Sequence, residues 1–191
     1  MPDDTTLIRY LEENIDDKRL AHSLGTASEA VKLAKIYGAD PKKAYVAGLL
    51  HDVAKGKCQY GLRKYADQYG IFIDDIEAKN VELIHGKLGA AMVKEQLCID
   101  DEDILSAIRW HTTGRAGMSL LEKVIYLADL IEPGRDFEDI EAIRQIAYQD
   151  IDKAMLIALD QVMCFVGSKG FALHTNSLEA YNYFINKEEE N

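Results

Sequence analysis

The sequence is poor in cysteine and has no pattern that would use the few cysteines present. Its 191 residues contain three, Cys58, Cys98 and Cys164, which are widely spaced and form no C-x-x-C motif. An odd, scattered set argues against a disulfide framework and against a zinc ribbon. The expected environment is therefore a reducing one, and the cytoplasm is the expected location.

Positive charge is also scarce. Lys and Arg total 22 against 33 Asp and Glu, which gives a formal charge of -11 and a pI near 4.9. Such a surface does not attract nucleic acid broadly, so any phosphate binding must be local. Bound divalent cations would concentrate positive charge at one spot, and the acidity of the chain therefore does not exclude an anionic substrate.

Long apolar runs and alternating patterns are absent. No apolar run reaches membrane-spanning length, and no basic segment followed by an apolar one opens the sequence, so neither a membrane span nor a leader is expected. No stretch alternates between apolar and polar residues as a half-buried strand would, and there is no internal repeat or low-complexity linker. A hydrophobic content of 48% is enough for one core. We expect a single all-α domain covering residues 1–191.

Apolar residues instead recur at helical spacing along most of the chain. Asp40-Pro41 is typical of a helix start, with Asp as N-cap and Pro at the first position, and Ser119 with Glu122 forms a capping box. The pattern predicts helices over 5–15, 16–37, 41–50, 59–70, 100–110, 120–131, 140–148, 151–166 and 176–185, and one continuous helix from about Asp74 that carries His85. The charged tail, 187–191, is expected to fray.

Six residues that can ligate metal occur in an ordered set within these helices or at their ends: His22, His51, Asp52, His85, His111 and Asp129. His51-Asp52 follows an apolar helix, and Asp129 lies between Ala128 and Leu130, so each is drawn toward the interior, where an unpaired charge is costly. A bound metal would remove that cost. The alternatives are that single histidines are structural and that Asp129 forms a buried salt bridge with Arg135 or Arg19.

The same residues carry a family resemblance. The order His22, His51-Asp52, Asp129 in a helical chain resembles the HD-domain phosphohydrolase superfamily, and His85 and His111 match its dinuclear branch. Five segments resemble the YqeK-type symmetrical diadenosine tetraphosphate hydrolases: Arg19-x-x-His22-Ser23, Gly48-Leu49-Leu50-His51-Asp52-x-Ala54-Lys55, His111-Thr112-Thr113-Gly114, Ala128-Asp129-x-Ile131-Glu132-Pro133-Gly134-Arg135 and Leu173-His174-x-Asn176. Thr175 stands where these relatives usually have proline.

The resemblance implies an HD-domain helical bundle around a dinuclear metal site, with a core over about 16–135 on which helices within 138–186 pack. One metal would be bound by His22, His51, Asp52 and Asp129, and the second by His85, His111 and the other oxygen of Asp52. A hydroxide between the ions would attack phosphorus and cleave diadenosine tetraphosphate into two ADP. The resemblance favours iron, while a thiolate-free set of imidazoles and carboxylates also suits manganese or zinc.

Residues beside the ligands are the candidates for substrate contact. Lys55 and Arg135 would bind phosphate oxygens, Lys55 also assisting the reaction, unless both are merely solvated surface charges. Arg19 would touch substrate or orient Asp129. The remaining candidates are Thr112, Thr113 and Arg115 in one turn, and His174 and Thr175 in a late loop, where His174 could instead cap the last helix.

Other functions share these features. An HD-type enzyme acting on a nucleoside mono- or triphosphate or on a cyclic dinucleotide would have the same metal core, because specificity lies in loops. A non-catalytic nucleotide-binding or interaction module could keep the helical fold. A homodimer through an exposed face of the 140–166 region is also expected.

Overall fold

The structure is a computed structural model. It describes residues 1–189, apart from the side chains at positions 58–60, 62, 63 and 189. Cys58 thus lies outside the described side chains, and Cys98 and Cys164 are free thiols. Within residues 1–189 the elements are helices and no strand occurs: α1 (Asp4–Glu12), α2 (Asp17–Tyr37), α3 (Pro41–Leu50), α4 (Cys58–Tyr69), α5 (Asp75–Lys79), the 3-10 helix η1 (Val81–Ile84), α6 (His85–Leu97), α7 (Glu102–Trp110), α8 (Leu120–Ile131), α9 (Ile140–Ala147), α10 (Ile151–Ser168) and α11 (Thr175–Glu189).

The expected helix starts are confirmed by their caps. The Asp40 carboxylate accepts hydrogen bonds from the backbone N–H groups of Lys42 and Lys43 at the start of α3, where Pro41 occupies the first turn. Ser119 and Glu122 form both halves of the capping box that opens α8. These local signals fix where the helices that carry His51, Asp52 and Asp129 begin.

The prediction of one continuous helix from Asp74 through His85 is wrong. Asn80 leaves the helical region, with φ -132° and ψ 82°, and the segment divides into α5, η1 and α6. Asp74 caps α5 in its own capping box with Glu77. His85 consequently opens α6 instead of lying within a longer helix.

The charged tail, 187–191, in which fraying was predicted, includes the end of the last helix. Helix α11 continues to Glu189, and the Lys187 ammonium lies 2.6 Å from Asp152 of α10. Residues 190 and 191 lie outside the described part of the chain. No described helix is long and apolar enough to cross a membrane.

The apolar core lies where α2, α3, α7 and α8 meet. Leu33, Leu49, Ile108 and Leu127, one from each of these helices, have no exposed surface. Helices α9, α10 and α11 extend the same core through Met155, Leu159 and Phe184. Burial of side chains of this size contributes roughly 1.5–3 kcal/mol each before entropy is counted.

Two glycines let helices approach more closely than any other residue would allow. A Cβ at Gly48 on α3 would lie 2.9 Å from the Cα of Ala27 on α2, and a Cβ at Gly86 on α6 would lie 2.6 Å from the Arg109 carbonyl oxygen on α7. The first contact brings the helix of His22 against the helix that precedes His51. The second brings His85 toward His111.

Candidate metal centre

Five helices direct the six candidate ligands to one place. His22 belongs to α2, His51 and Asp52 directly follow α3, His85 opens α6, His111 follows α7, and Asp129 lies in the last turns of α8. His51, Asp52, His85 and His111 are all buried. The structure thus brings together residues that lie more than 100 positions apart in the sequence.

The first half of the cluster gathers around His22. Its Nε2 lies 3.0 Å from Asp129 Oδ1 and 3.2 Å from His51 Nε2. Asp52 Oδ2 lies 3.6 Å from His51 Nε2 and 3.8 Å from His22 Nε2. Two imidazoles and two carboxylates therefore point at one small volume.

The second half uses the other oxygen of the same aspartate. The Nε2 atoms of His85 and His111 lie 2.9 Å apart, and Asp52 Oδ1 is 3.1 Å from His85 Nε2 and 3.5 Å from His111 Nε2. Asp52 thus turns Oδ2 to one pair of histidines and Oδ1 to the other. A carboxylate placed in this way can join two neighbouring ions.

Backbone carbonyl groups set the orientation of three of the rings. The Nδ1 atoms of His51 and His111 lie 2.7 Å from the carbonyl oxygens of Gly48 and Ile108, and His85 Nδ1 contacts the carbonyl of Glu82. In each case the partner lies three residues earlier. A carbonyl oxygen only accepts, so Nδ1 carries the proton and Nε2 presents a lone pair to the cluster.

The fourth ring is oriented by a residue that the sequence reasoning did not assign to the site. His22 Nδ1 lies 3.1 Å from Glu132 Oε1, and the buried Glu132 carboxylate also accepts the Gly134 N–H at 2.6 Å. A carboxylate behind a histidine is the usual arrangement at metal-binding imidazoles. Glu132 lies in one of the segments that carry the family resemblance, but no role was predicted for it, and its contact with His22 spans 110 residues.

This donor set fits a bound cation. In the His85 and His111 pair, two nitrogen lone pairs and a carboxylate oxygen converge, and the single hydroxyl of Thr112, at 3.0 and 3.1 Å from the two Nε2 atoms, offers one proton between them. Acceptors that face one another without protons repel unless a positive ion lies among them. The cluster therefore suggests divalent metal binding.

Burial and mutual attraction set the protonation of the cluster. Burial lowers the pKa of His51 to about 4 and lowers that of His85, with Lys55 contributing. Burial would raise the pKa of Asp52, but the neighbouring histidines outweigh it and hold that pKa well below its usual value. Burial would lower the pKa of His22, but Asp129 and Glu132 outweigh it and raise that pKa. Neutral His51 and His85 with ionised Asp52 are the forms that bind metal.

Two arginines bind the cluster carboxylates. Arg19 Nη1 lies 2.7 Å from Asp52 Oδ2, so Arg19 contacts Asp52 and not Asp129, the partner that was expected for a positioning role. Arg135 Nη2 lies 2.5 Å from Asp129 Oδ1, and its Nε donates to the Asp129 carbonyl oxygen at 2.9 Å. The salt bridge considered as an alternative for Asp129 is therefore present, on an aspartate that also faces His22.

A cavity of about 380 Å³ opens on the cluster. Its lining combines cationic residues and members of the histidine and aspartate cluster with apolar residues from α8 and α10. Its lining comprises Arg19, Asp52, Lys55, His85, His111, Thr112, Tyr126, Asp129, Leu130, Arg135, Val162, Phe165 and Val166. The charged residues of this lining were predicted from the sequence, and the apolar ones were not.

Two larger cavities flank it. One, of about 620 Å³, shares Arg19 and Lys55 with the central cavity. The other, of about 950 Å³, shares Arg19 and Arg135. The three cationic residues predicted to contact phosphate thus lie along one continuous surface, with Arg19 common to all three cavities.

Four predicted substrate contacts do not line the central cavity. Thr113 is buried and its hydroxyl donates to the Gly114 carbonyl oxygen. The Arg115 guanidinium binds the buried Glu122 carboxylate at 3.0 Å. Both side chains form contacts within the turn before α8 or with the first turn of α8. The structure does not bring them to the cluster.

His174 and Thr175 lie elsewhere for a different reason. The Asn176 N–H donates to His174 Nδ1 at 3.1 Å, and His174 Nε2 lies 3.0 Å from Asp74 Oδ2. His174 thus caps the start of α11 and ties it to α5, as in the alternative considered for it. Thr175 is the exposed first residue of α11.

Comparison with known proteins agrees with this geometry. Residues 19–134 match the HD domain family. The chain is 38% identical over 183 residues to the symmetrical bis(5'-nucleosyl)-tetraphosphatase of Halalkalibacterium halodurans, covering 93% of this chain and 95% of that protein. It is 35% identical to the protein of the same name from Bacillus subtilis, covering 92% and 94%.

A solved structure is similar over nearly the whole chain. The crystal structure of a predicted HD superfamily hydrolase involved in NAD metabolism, from Clostridium acetobutylicum, superposes with a TM-score of 0.91 at 43% identity, covering 98% of this chain and 99% of that one. The family match spans more than half of the sequence and contains all six clustered residues. The chain belongs to the HD domain family.

Proposed function

We propose that this HD-family hydrolase is a metal-dependent phosphohydrolase that cleaves diadenosine tetraphosphate symmetrically into two ADP. The observation that carries the proposal is the position of Asp52, whose two oxygens each face a separate pair of histidines. Hydrolysis at phosphorus is the chemistry for which proteins commonly use paired metals. The choice of substrate follows the names of the relatives, which are symmetrical bis(5'-nucleosyl)-tetraphosphatases.

The residues on the chain divide into two ligand groups. His22, His51, Asp129 and Asp52 Oδ2 would hold one ion, and His85, His111 and Asp52 Oδ1 would hold the other. The chemistry that such a pair supplies when bound is activation of water for attack on phosphorus at neutral pH. We propose iron, with manganese and zinc as the other metals that this thiolate-free donor set suits.

The chain's own cations bind and orient the polyphosphate. Arg19, Lys55 and Arg135 border the central cavity, and their charges oppose the negative charge of non-bridging phosphate oxygens as the bond to the leaving phosphate breaks. Thr112, whose hydroxyl lies beside His85 and His111, adds a donor at the same position. Asp52 and Lys55 are the residues we assign to catalysis.

The flanking cavities support a substrate with two arms. A dinucleoside tetraphosphate carries a nucleoside at each end of its phosphate chain, and two cavities of about 620 and 950 Å³ are both lined by Arg19. Drug-sized ligands occupy sites of this order. A symmetric cut requires that the middle of the phosphate chain lie at the metal cluster.

The test is product analysis with purified, metal-loaded protein. Diadenosine tetraphosphate should yield ADP alone on chromatography, and metal analysis should give two ions per chain. Asp52→Ala should abolish turnover and reduce metal content together, whereas Asp160→Ala, on the exposed face of α10, should change neither. Formation of ATP and AMP would contradict the symmetric cut, and two bound ions without hydrolysis would favour a non-catalytic nucleotide-binding module.

A further inference from the structure

Helix α10 carries an apolar stripe that continues beyond the core. Met155, Ala158 and Leu159 are buried, and Val162, Phe165 and Val166 extend the same face at i, i+3 and i+4 spacing. These last three residues line the cavity over the metal cluster. The Phe165 side chain is 61% exposed, although burial of an aromatic ring is strongly favourable.

The cavity is lined by two kinds of residue. Arg19, Lys55 and Arg135 line it together with the histidine and aspartate cluster, and the apolar α10 stripe lines it as well. A nucleotide has the same division, because its phosphates are anionic and its base is planar and largely apolar. An aromatic ring at the edge of a cationic groove is the arrangement that proteins use to stack bases.

Position in the sequence separates the two kinds of lining residue as well. All six residues of the cluster fall within the stretch that matches the HD domain, 19–134, and Phe165 falls outside it. The part of the chain that is common to the family therefore supplies the metal cluster, while α10 supplies a wall that the family match does not include. Specificity is commonly carried by such additions to a shared catalytic core.

We propose that Phe165 is a specificity-determining residue on which a nucleobase of the substrate stacks, with Val162 and Val166 contacting the same nucleoside. The proposal rests on the function proposed above and names the group that this wall recognises. The Lys169 ammonium lies 5.4 Å from the ring centroid and forms a cation–π contact with one face, and the 61% exposure of Phe165 leaves much of the side chain accessible.

The experiment compares two ligands that differ in having a base. Calorimetric titration of the metal-loaded protein with ADP and with inorganic pyrophosphate gives a dissociation constant for each. Phe165→Ala should weaken ADP binding about tenfold, as the loss of one stacked base does, and should leave pyrophosphate binding unchanged. Phe165→Trp should restore ADP binding.

The matched control is Phe171→Ala. Phe171 is 53% exposed, lies six residues after Phe165 and does not line the cavity, so this variant should bind both ligands like the wild type. Unchanged ADP affinity in Phe165→Ala would overturn the proposal, and so would an equal loss of ADP and pyrophosphate binding. If sedimentation shows that the variant loses a dimer while ADP affinity is unchanged, the stripe covers a second copy and not a base.

The outcome is independent of turnover. ADP binding that depends on Phe165 in a protein that does not cleave diadenosine tetraphosphate would refute the proposed function and leave the stacking role standing. Cleavage to ADP by a Phe165→Ala variant with unaltered KM would support the proposed function and refute the stacking role.

Discussion

Glu132→Gln should lower the affinity for one metal ion and leave the affinity for the other unchanged. In the wild type, Oε1 lies 3.1 Å from His22 Nδ1 and Oε2 accepts the Gly134 N–H at 2.6 Å, so both carboxylate oxygens serve as acceptors. Glutamine keeps the shape but has only one oxygen, and its amide nitrogen must then face one of these two donors. His22 loses a charged acceptor or the turn at Gly134 is disturbed.

The size of the effect follows from that loss. A hydrogen bond to a charged group is worth about 1.5–3 kcal/mol, and removing the partner of a metal-binding histidine typically lowers metal affinity about 10- to 100-fold. We expect a decrease in this range for the ion at His22, His51 and Asp129. The pair formed by His85 and His111 has no contact with Glu132 among the hydrogen bonds of the described residues, so its ion should bind as before.

One effect acts in the opposite direction. Glu132 contributes to the raised pKa of His22, although less than Asp129 does. Glutamine would lower that pKa and so reduce the competition between protons and metal near neutral pH. This gain vanishes once His22 is deprotonated in both proteins, and the loss of affinity should therefore be larger at pH 8.5 than at pH 7.

Titration with Mn²⁺ by calorimetry at both pH values gives the two affinities. Glu29→Gln is the matched control, because Glu29 is a buried carboxylate on the same helix as His22 and binds Lys32 and Tyr148 away from the cluster. It should leave both affinities unchanged. Wild-type affinity for both ions in Glu132→Gln would refute the argument, as would equal weakening of the two ions.

Three further predictions follow from other parts of the site. Arg135→Ala should lower kcat/KM for diadenosine tetraphosphate about 10- to 100-fold, the loss of a charged phosphate contact, while Arg115→Ala, whose guanidinium lies off the cavity, should stay within twofold in the same steady-state assay. Gly48→Ala should lower the free energy of unfolding by about 1–3 kcal/mol through overpacking, measured by urea denaturation, and Gly56→Ala, which meets nothing within 4 Å, should not. In chelator-treated protein, the His51 pKa of about 4 lies below the unfolded value of 6.5, so only the unfolded chain binds this proton in that window and stability falls as pH drops from 6.5 toward 4. The loss of stability from this group is about 3 kcal/mol in total. The difference between the urea midpoints at pH 7.5 and pH 5 should therefore be smaller in a His51→Gln variant than in the wild type.

The helices were predictable where the chain carries local start and stop signals. Asp40 and Ser119 cap the helices that the sequence indicated, because a side chain that accepts from N–H groups two or three residues ahead needs no distant partner. The break at Asn80 was not predictable from apolar spacing, since the residues on both sides keep helical periodicity. The capping box at Asp74 lies where the predicted helix begins, and His174 contacts Asp74 from the far end of the chain.

The charged residues around the cluster were predicted less well, since proximity in sequence is a poor guide to side-chain direction. Arg115 is four residues after His111, yet its guanidinium turns to the buried Glu122. Glu132, three residues after Asp129, turns inward to His22. In both cases the partner is a side chain of complementary charge that helix packing brings near: the buried Glu122 of α8 for Arg115, and the largely buried His22 of α2 for Glu132.

The orientation of three clustered histidines is produced locally. His51, His85 and His111 each donate Nδ1–H to the carbonyl three residues earlier, and each directs Nε2 inward. A contact over three residues depends on a single helical turn, so the backbone supplies the proton acceptor wherever a histidine follows such a turn. Helix packing then brings the rings together: the close approach at Gly48 places α2, which carries His22, against α3, and the close approach at Gly86 places His85 near His111. No such short-range contact indicates the role of the apolar residues on α10, because that role depends on which distant residues line the same cavity.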